Sequence, residues 1–347
     1  MATDISIIGD RFMLSSVFET ALLEKCGSRE LRIRKHDMPW PDEAMEHGYA
    51  VDGMEGLKEY MGTAEEVVAL GLGAKIIVTQ LAPFSATIMD QLPDLKLIAV
   101  SRGGPVNIDM KAARDRGIRV VNTPGRNASA VAEFTIGAIL AETRNITKGH
   151  DALRRGEYRG DLYRADMAGR ELSEMTVGLV GYGEVGRRVV TYLKVFGCRI
   201  LVSDPYVQLS AEDLRDGVVQ CSLDHLLAKA DVVSLHTRVT PETTRMMNED
   251  TLRQMKPDAT LINTARGPLL DYDALHRVMI SGHLRGVMLE TFGIEPVPPH
   301  WALLQLPNVT LTPHIAGASV KTVTYAANLA AEEVRRYLAG ESLVNVC

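Results

Sequence analysis

Apolar positions in this chain fall into short runs separated by stretches of helical period. Aliphatic and β-branched residues cluster at 75–79, 95–100, 120–121, 176–180, 199–203, 232–235, 260–263, 287–289 and 309–312. Runs of this length, alternating with amphipathic segments, predict parallel strands covered by helices. The segment 128–155 is different in kind. There Val131, Phe134, Thr135, Ala138, Ile139, Glu142 and Ile146 recur with a period of about 3.6 residues, which predicts one long helix begun near Asn127 or Ser129. Residues 329–338 predict a second helix close to the C-terminus.

The strand at 176–180 runs directly into Gly181-Tyr182-Gly183-Glu184-Val185-Gly186, with a helical pattern behind it. Each glycine has a separate task in such a turn: Gly181 makes the tight bend, Gly183 lets backbone N–H groups approach a diphosphate, and Gly186 lets helix and strand pack closely. The next strand, 199–203, ends in Asp204, 18 residues beyond Gly186. A carboxylate at that place accepts the ribose hydroxyls and repels a 2′-phosphate, and neither Ser203 nor Pro205 offers a compensating cation. NAD is therefore expected as the cofactor, not NADP.

The glycine motif sits in mid-chain, and 347 residues exceed the roughly 250–300 at which a single core stops growing. The expectation is an α/β fold of two domains, a Rossmann dinucleotide-binding domain inserted in a flavodoxin-like substrate domain. The substrate domain is expected at 1–121 plus 318–347 and the Rossmann domain at 122–317, with the cleft at their junction.

Three later segments end apolar strands in polar residues: Leu261-Ile-Asn-Thr-Ala-Arg266-Gly-Pro, Val287-Met-Leu-Glu290-Thr-Phe-Gly-Ile-Glu295-Pro, and Leu311-Thr-Pro-His314-Ile-Ala-Gly317. Ligands of open α/β sheets bind at such carboxyl ends. Hydride transfer from a secondary alcohol needs a base for the hydroxyl proton, an acid to hold that base, and a cation for the carboxylate and developing oxyanion. His314, Glu295 and Arg266 are those residue types.

With these motifs in this order, the chain resembles the D-isomer-specific 2-hydroxyacid dehydrogenase family, which includes phosphoglycerate, glyoxylate/hydroxypyruvate and D-lactate dehydrogenases. The likeness runs from Leu95-Lys-Leu-Ile-Ala through Asn122-Thr-Pro-Gly and Ala130-Val-Ala-Glu133 to Gly340-Glu-Ser-Leu-Val-Asn345. It implies that Arg266 binds the substrate carboxylate and carbonyl, that His314 is the general acid/base, and that Glu295 hydrogen-bonds His314 and favours the imidazolium form. It also implies cofactor contacts at Gly181, Gly183, Glu184, Val185, Gly186, Asp204, His236, Thr264, Ala265, Glu290 and Gly317. Glu290 stands where the family usually has an aspartate facing the nicotinamide carboxamide. The family's substrate loop becomes Ser101-Arg102-Gly103-Gly104-Pro105, whose N–H groups at Arg102 to Gly104 can cradle a carboxylate. Arg102 and Arg126, with Arg266, are candidate substrate cations, and they point to a phosphorylated or polyhydroxylated acid. Arg238 stands where many members have proline. A homodimer through the 128–155 region is expected.

Composition narrows the alternatives. A net charge of −6 and a pI near 5.9 supply no basic field for nucleic acid or anionic lipid. Cys26, Cys198, Cys221 and Cys347 have neither disulfide nor metal spacing, so no metal is expected and a reducing cytoplasm fits. The N-terminus lacks a basic export signal, and no run of about 18 apolar residues suggests a membrane span. The chain reaches Cys347 directly after the last helix, so no C-terminal regulatory domain is expected. One alternative is a non-catalytic NAD(H)-sensing, corepressor-like protein, against which the full Arg/Glu/His set argues. A formate-dehydrogenase-like enzyme would pair its histidine with glutamine, which Glu295 opposes.

Overall fold

The computed structural model describes residues 2–27, 29–40 and 53–347, and the chain divides into two compact units, Met1–Asn127 with Ala318–Cys347, and Ala128–Gly317. The first unit contains strands β1 (Thr3–Gly9), β2 (Leu31–Asp37), β3 (Ile76–Thr79), β4 (Leu97–Val100) and β5 (Arg119–Val121). They form one parallel sheet in the order β2-β1-β3-β4-β5. Its helices are α1 (Ser15–Cys26), α2 (Ala64–Gly71), α3 (Ala86–Asp90) and α4 (Met110–Asp115), joined by a long helix near the C-terminus, Val320–Ala339. That last helix packs Ala326, Ala327, Ala330 and Val334 with Phe18 and Leu22 of α1 on one sheet face, while Val67, Ile88 and Ala112 cover the other. The chain end then returns to the sheet, where Cys347 N–H donates to the Val120 carbonyl at 3.0 Å and Asn122 N–H to the Asn345 carbonyl at 3.0 Å.

The second unit opens with α5 (Ala128–Thr143) and α6 (Ile146–Arg154). Alternating elements follow: β6 (Thr176–Val180), α7 (Glu184–Lys194), β7 (Arg199–Ser203), α8 (Ala211–Arg215), β8 (Val219–Gln220), α9 (Leu223–Lys229), β9 (Val232–Leu235), α10 (Glu249–Gln254), β10 (Thr260–Asn263), α11 (Tyr272–Ile280), β11 (Gly286–Leu289) and β12 (Val309–Leu311). The helix Val320–Ala339 is α12. Seven parallel strands are ordered β12-β11-β10-β9-β6-β7-β8, with α5 and α7 on one face and α9 to α11 on the other. The order in which strands are added reverses between β6 and β9, which is where an open α/β sheet leaves its crevice.

Three expectations change. The single helix over 128–155 is two, because Asn145 takes a left-handed φ of +57°. Its amide donates to the Met167 carbonyl at 2.9 Å and accepts from Arg285 at 2.9 Å, and a Cβ on Gly169 would lie 2.2 Å from the Thr143 carbonyl oxygen, so the crossing 167–169 segment ends α5. Second, α12 is longer than 329–338, since Ser319 caps it by accepting from Thr322 N–H at 3.1 Å. Third, β1, β2 and β8 are strands that the apolar runs did not single out. Among them β2 and β8 are sheet edges, where one neighbour suffices and charged residues are tolerated.

Candidate active site

The nucleotide turn is built as its glycines require. Gly181 has φ +104°, and a Cβ there would lie 2.8 Å from the carbonyl carbon and oxygen of His236, so only glycine lets the ends of β6 and β9 approach. A Cβ on Gly186 would lie 2.3 Å from the Gly181 oxygen, whereas nothing stands within 4 Å of one on Gly183. That open space faces the start of α7, whose first-turn N–H groups at Glu184, Val185 and Gly186 suit a diphosphate. The Glu184 carboxylate is engaged by Arg188 at 2.7 Å. Beneath the turn lies Tyr182, which the sequence reading passed over: it is 1% exposed, its hydroxyl donates to Asp213, and the Arg187 guanidinium sits 4.8 Å over its ring.

Asp204 accepts N–H donors from Tyr182 at 2.8 Å, Tyr206 at 2.9 Å and Val207 at 3.0 Å. A carboxylate offers about four acceptor positions, so the charge is held at the crevice rim with room for about one further donor, fewer than both ribose hydroxyls call for. His236 pairs through Nε2 with Ser234 Oγ at 2.9 Å, and burial pushes its imidazole down to about 4, neutral at pH 7. Thr264 Oγ1 lies 2.8 Å from Thr135 Oγ1. Since Thr135 donates its only proton to the Val131 carbonyl, Thr264 is the donor between them.

The loop after β10 is set by Asn263, a second residue the motifs did not single out. Its buried amide accepts from Ala265 N–H at 3.1 Å and donates to the Arg266 carbonyl at 3.0 Å, fixing the turn from which the exposed Arg266 side chain projects. The Arg266 guanidinium donates to the Ala265 carbonyl at 2.7 Å. The next residue, Gly267, lies against the loop after β11: a Cβ there would sit 1.9 Å from the Phe292 carbonyl. Tyr272 bridges both loops, donating to the Gly267 carbonyl at 3.1 Å and reaching the Thr291 carbonyl at 3.3 Å, with Trp301 at 4.9 Å between ring centroids.

That second loop delivers Glu295. Its Oε1 accepts from Phe292 N–H at 2.7 Å and its Oε2 meets His314 Nδ1 at 2.8 Å. His314 is more exposed than Glu295, with side-chain exposures of 36% and 14%, and has a left-handed φ of +53°. Its N–H is shared by the Glu290 and Thr312 carbonyls, each at 3.0 Å. The Glu290 side chain, 1% exposed, accepts from Ala316 N–H at 2.7 Å, and burial pushes its carboxyl up to about 7. Glu290 therefore braces the turn from His314 to Gly317 from both its carbonyl and its carboxylate.

In the first unit, the expected N–H cradle at Arg102 to Gly104 is reduced. Arg102 N–H donates to the Val100 carbonyl at 2.8 Å, leaving Gly103 and Gly104, whose added Cβ atoms would meet nothing within 4 Å. Asn122 holds the Gly103 carbonyl at 2.8 Å. The Arg102 guanidinium is ion-paired with Glu59 and donates to its carbonyl at 2.8 Å. Arg126 follows β5, its guanidinium 5.9 Å from the centroid of the Phe12 ring.

Residues 136–316 match the family model for the D-isomer specific 2-hydroxyacid dehydrogenase NAD binding domain. A glyoxylate reductase of Thermofilum pendens is 40% identical over 263 residues, covering 75% of this chain and 78% of the relative. A D-3-phosphoglycerate dehydrogenase of Mycobacterium leprae is 35% identical over 266 residues, covering 77% of this chain and 49% of the relative. The crystal structure of the TT0316 protein of Thermus thermophilus superposes with a TM-score of 0.79 at 31% identity, over 99% of both chains. The chain belongs to the D-isomer specific 2-hydroxyacid dehydrogenase family. It is an NAD-dependent oxidoreductase acting on a 2-hydroxy acid/2-oxo acid pair. Among the described residues no helix is long and apolar enough to cross a membrane.

Proposed function

We propose that the chain reduces a small 2-oxo acid of the glyoxylate, hydroxypyruvate or phosphohydroxypyruvate type, with His314, Glu295 and Arg266 as its catalytic residues. The observation that carries this reading is the 2.8 Å pair of His314 Nδ1 with Glu295 Oε2, itself anchored on Phe292 N–H. Glu295 holds the imidazole in one tautomer and orientation, and Nε2 is assigned the proton that passes to the substrate oxygen. Arg266 presents the planar fork that suits a carboxylate. NAD, when bound, supplies or accepts the hydride, and its diphosphate falls to the Gly183 turn and the start of α7.

The unit Ala128–Gly317 is read as the NAD-binding domain and the discontinuous one as the substrate domain, with Arg102, Gly103, Gly104 and Arg126 as its candidate contacts. A homodimer through the 128–155 region is supported by Ile146 and Leu153, which stand 58% and 60% exposed on α6. A cytoplasmic setting suits four free cysteines.

The deciding experiment is NADH oxidation across glyoxylate, hydroxypyruvate, phosphohydroxypyruvate and pyruvate. Turnover of one of the first three above pyruvate is expected. Pyruvate as the best substrate would overturn the substrate class, and NADH binding without turnover of any acid would favour the sensing alternative.

A further inference from the structure

The first unit's parallel sheet has the order β2-β1-β3-β4-β5, so the order in which strands are added reverses between β1 and β3. At that point the carboxyl ends of adjacent strands diverge, and open α/β sheets bind ligands there. The residues occupying it are polar and buried. Asp10, directly after β1, is 1% exposed, and Gln80, directly after β3, is 6% exposed. One oxygen of Asp10 accepts from Phe12 N–H at 2.8 Å and Met13 N–H at 2.7 Å. With the Gln80 amide oriented to suit both neighbours, it donates to the other Asp10 oxygen at 3.1 Å and accepts from Arg126 Nη2 at 3.3 Å. The carboxylate and the guanidinium are thus linked through an amide and do not touch.

That separation leaves the cation under-compensated. Arg126 Nη1 is buried and has no hydrogen-bond partner among the described residues, and burial pushes the guanidinium down to about 10 against the pull of Asp10. Asp10 is likewise pushed up, chiefly by burial. A buried charge without a direct partner is costly, and an unmet N–H donor adds to that cost. The contrast with Arg102 is direct, since that guanidinium is ion-paired with Glu59. On the same sheet edge Ser101 Oγ and Thr123 Oγ1, just past β4 and β5, are also buried without a partner among the described residues.

We infer that the Asp10–Gln80–Arg126 cluster at the β1/β3 switch point is an anion-recognition site, in which Arg126 Nη1 donates to a carboxylate or phosphate oxygen of a small organic acid. The inference deepens the proposed function and rests on reading this unit as the substrate-binding one. Asp10 and Gln80 act as positioning residues: the amide holds Nη2 and fixes the guanidinium plane, and the carboxylate offsets its charge from a distance without occupying the buried Nη1. An incoming anion completes the pairing that the fold leaves open, which selects acids bearing a second anionic group over glyoxylate.

The test uses the full chain, with malonate and inorganic phosphate as calorimetric probes and glyoxylate and phosphohydroxypyruvate as substrates with NADH. The wild type should bind the probes, and Arg126→Gln should weaken that binding about ten- to a hundredfold, the range of a charge-assisted hydrogen bond. The same variant should raise KM for phosphohydroxypyruvate by a similar factor, and by more than it raises KM for glyoxylate, which has no second anionic group to lose a partner. Arg126→Lys, which keeps the charge without the fork, should fall between the two, and it serves as the test if Arg126→Gln does not fold. Probe binding that is absent, or equal in wild type and variants, overturns the anion site even if glyoxylate is turned over. Arg126-dependent probe binding without turnover of either acid supports the anion site and strikes the proposed function instead.

Discussion

Gly267 and Phe292 touch through their backbones so closely that a single added methyl would lie 1.9 Å from the Phe292 carbonyl. Arg266 and Glu295 belong to different loops, and this contact makes those loops neighbours. Gly267→Ala should therefore act on the site without altering any polar group. Overpacking of this kind costs about 1–3 kcal/mol, so a lowered melting temperature together with reduced turnover is expected. Wild-type kinetics in the variant would show that the two loops adjust independently.

His314→Ala should lower turnover about 10²- to 10⁴-fold, the scale of general acid catalysis, while NADH binding survives. Glu295→Gln keeps the shape of the pair but removes the charge behind the imidazole, so turnover should fall while NADH binding survives. Turnover near wild type in either variant would take that residue out of the mechanism.

Asp204 should set a preference for NADH over NADPH, because its carboxylate is held at the end of β7 by three backbone N–H groups and opposes a 2′-phosphate. Asp204→Ala should shrink the ratio of catalytic efficiencies. It should also lower stability, since the Tyr182, Tyr206 and Val207 N–H groups lose their acceptor. A wild-type preference for NADPH would refute the assignment.

Glu142 and Glu290 are both pushed by burial from 4.5 up to about 7. The folded state therefore keeps protons that the unfolded chain releases. This contribution to stability is fully present below about pH 4.5 and is lost as pH rises through about 7, at about 1.4 kcal/mol per pH unit per group. Thermal unfolding followed across that window should show a falling midpoint, because the two glutamates outweigh the single buried His236, whose contribution rises between about pH 4 and 6.5, and Glu142→Gln should flatten the fall. A midpoint that rises over the same range, or a slope unchanged in the variant, would contradict it.

Much of the candidate site was legible because its residue types are written in local motifs. A glycine at each tight or close-packed place of the nucleotide turn, an acid at the end of the next strand, and Arg266, Glu295 and His314 behind apolar strands follow from short-range sterics and residue type. The long helix was misjudged for the opposite reason. Periodicity continues through 128–155, but Asn145 takes a left-handed backbone and hydrogen-bonds to Met167 and Arg285, residues 22 and 140 positions away.

The sequence by itself determined the alternation of strands and helices, the glycine turn after β6 and the residue types that end the later strands, since these depend on neighbours within a few residues. Only the tertiary structure decided which groups face which environment. It showed that Arg102 meets Glu59 while Arg126 is left under-compensated, that Glu290 braces the turn bearing His314, and that Asn263 and Tyr182 hold the loops around them. Burial and pairing are set by contacts between segments distant in the chain, and burial is what moves a carboxyl toward neutrality or leaves a guanidinium without a partner.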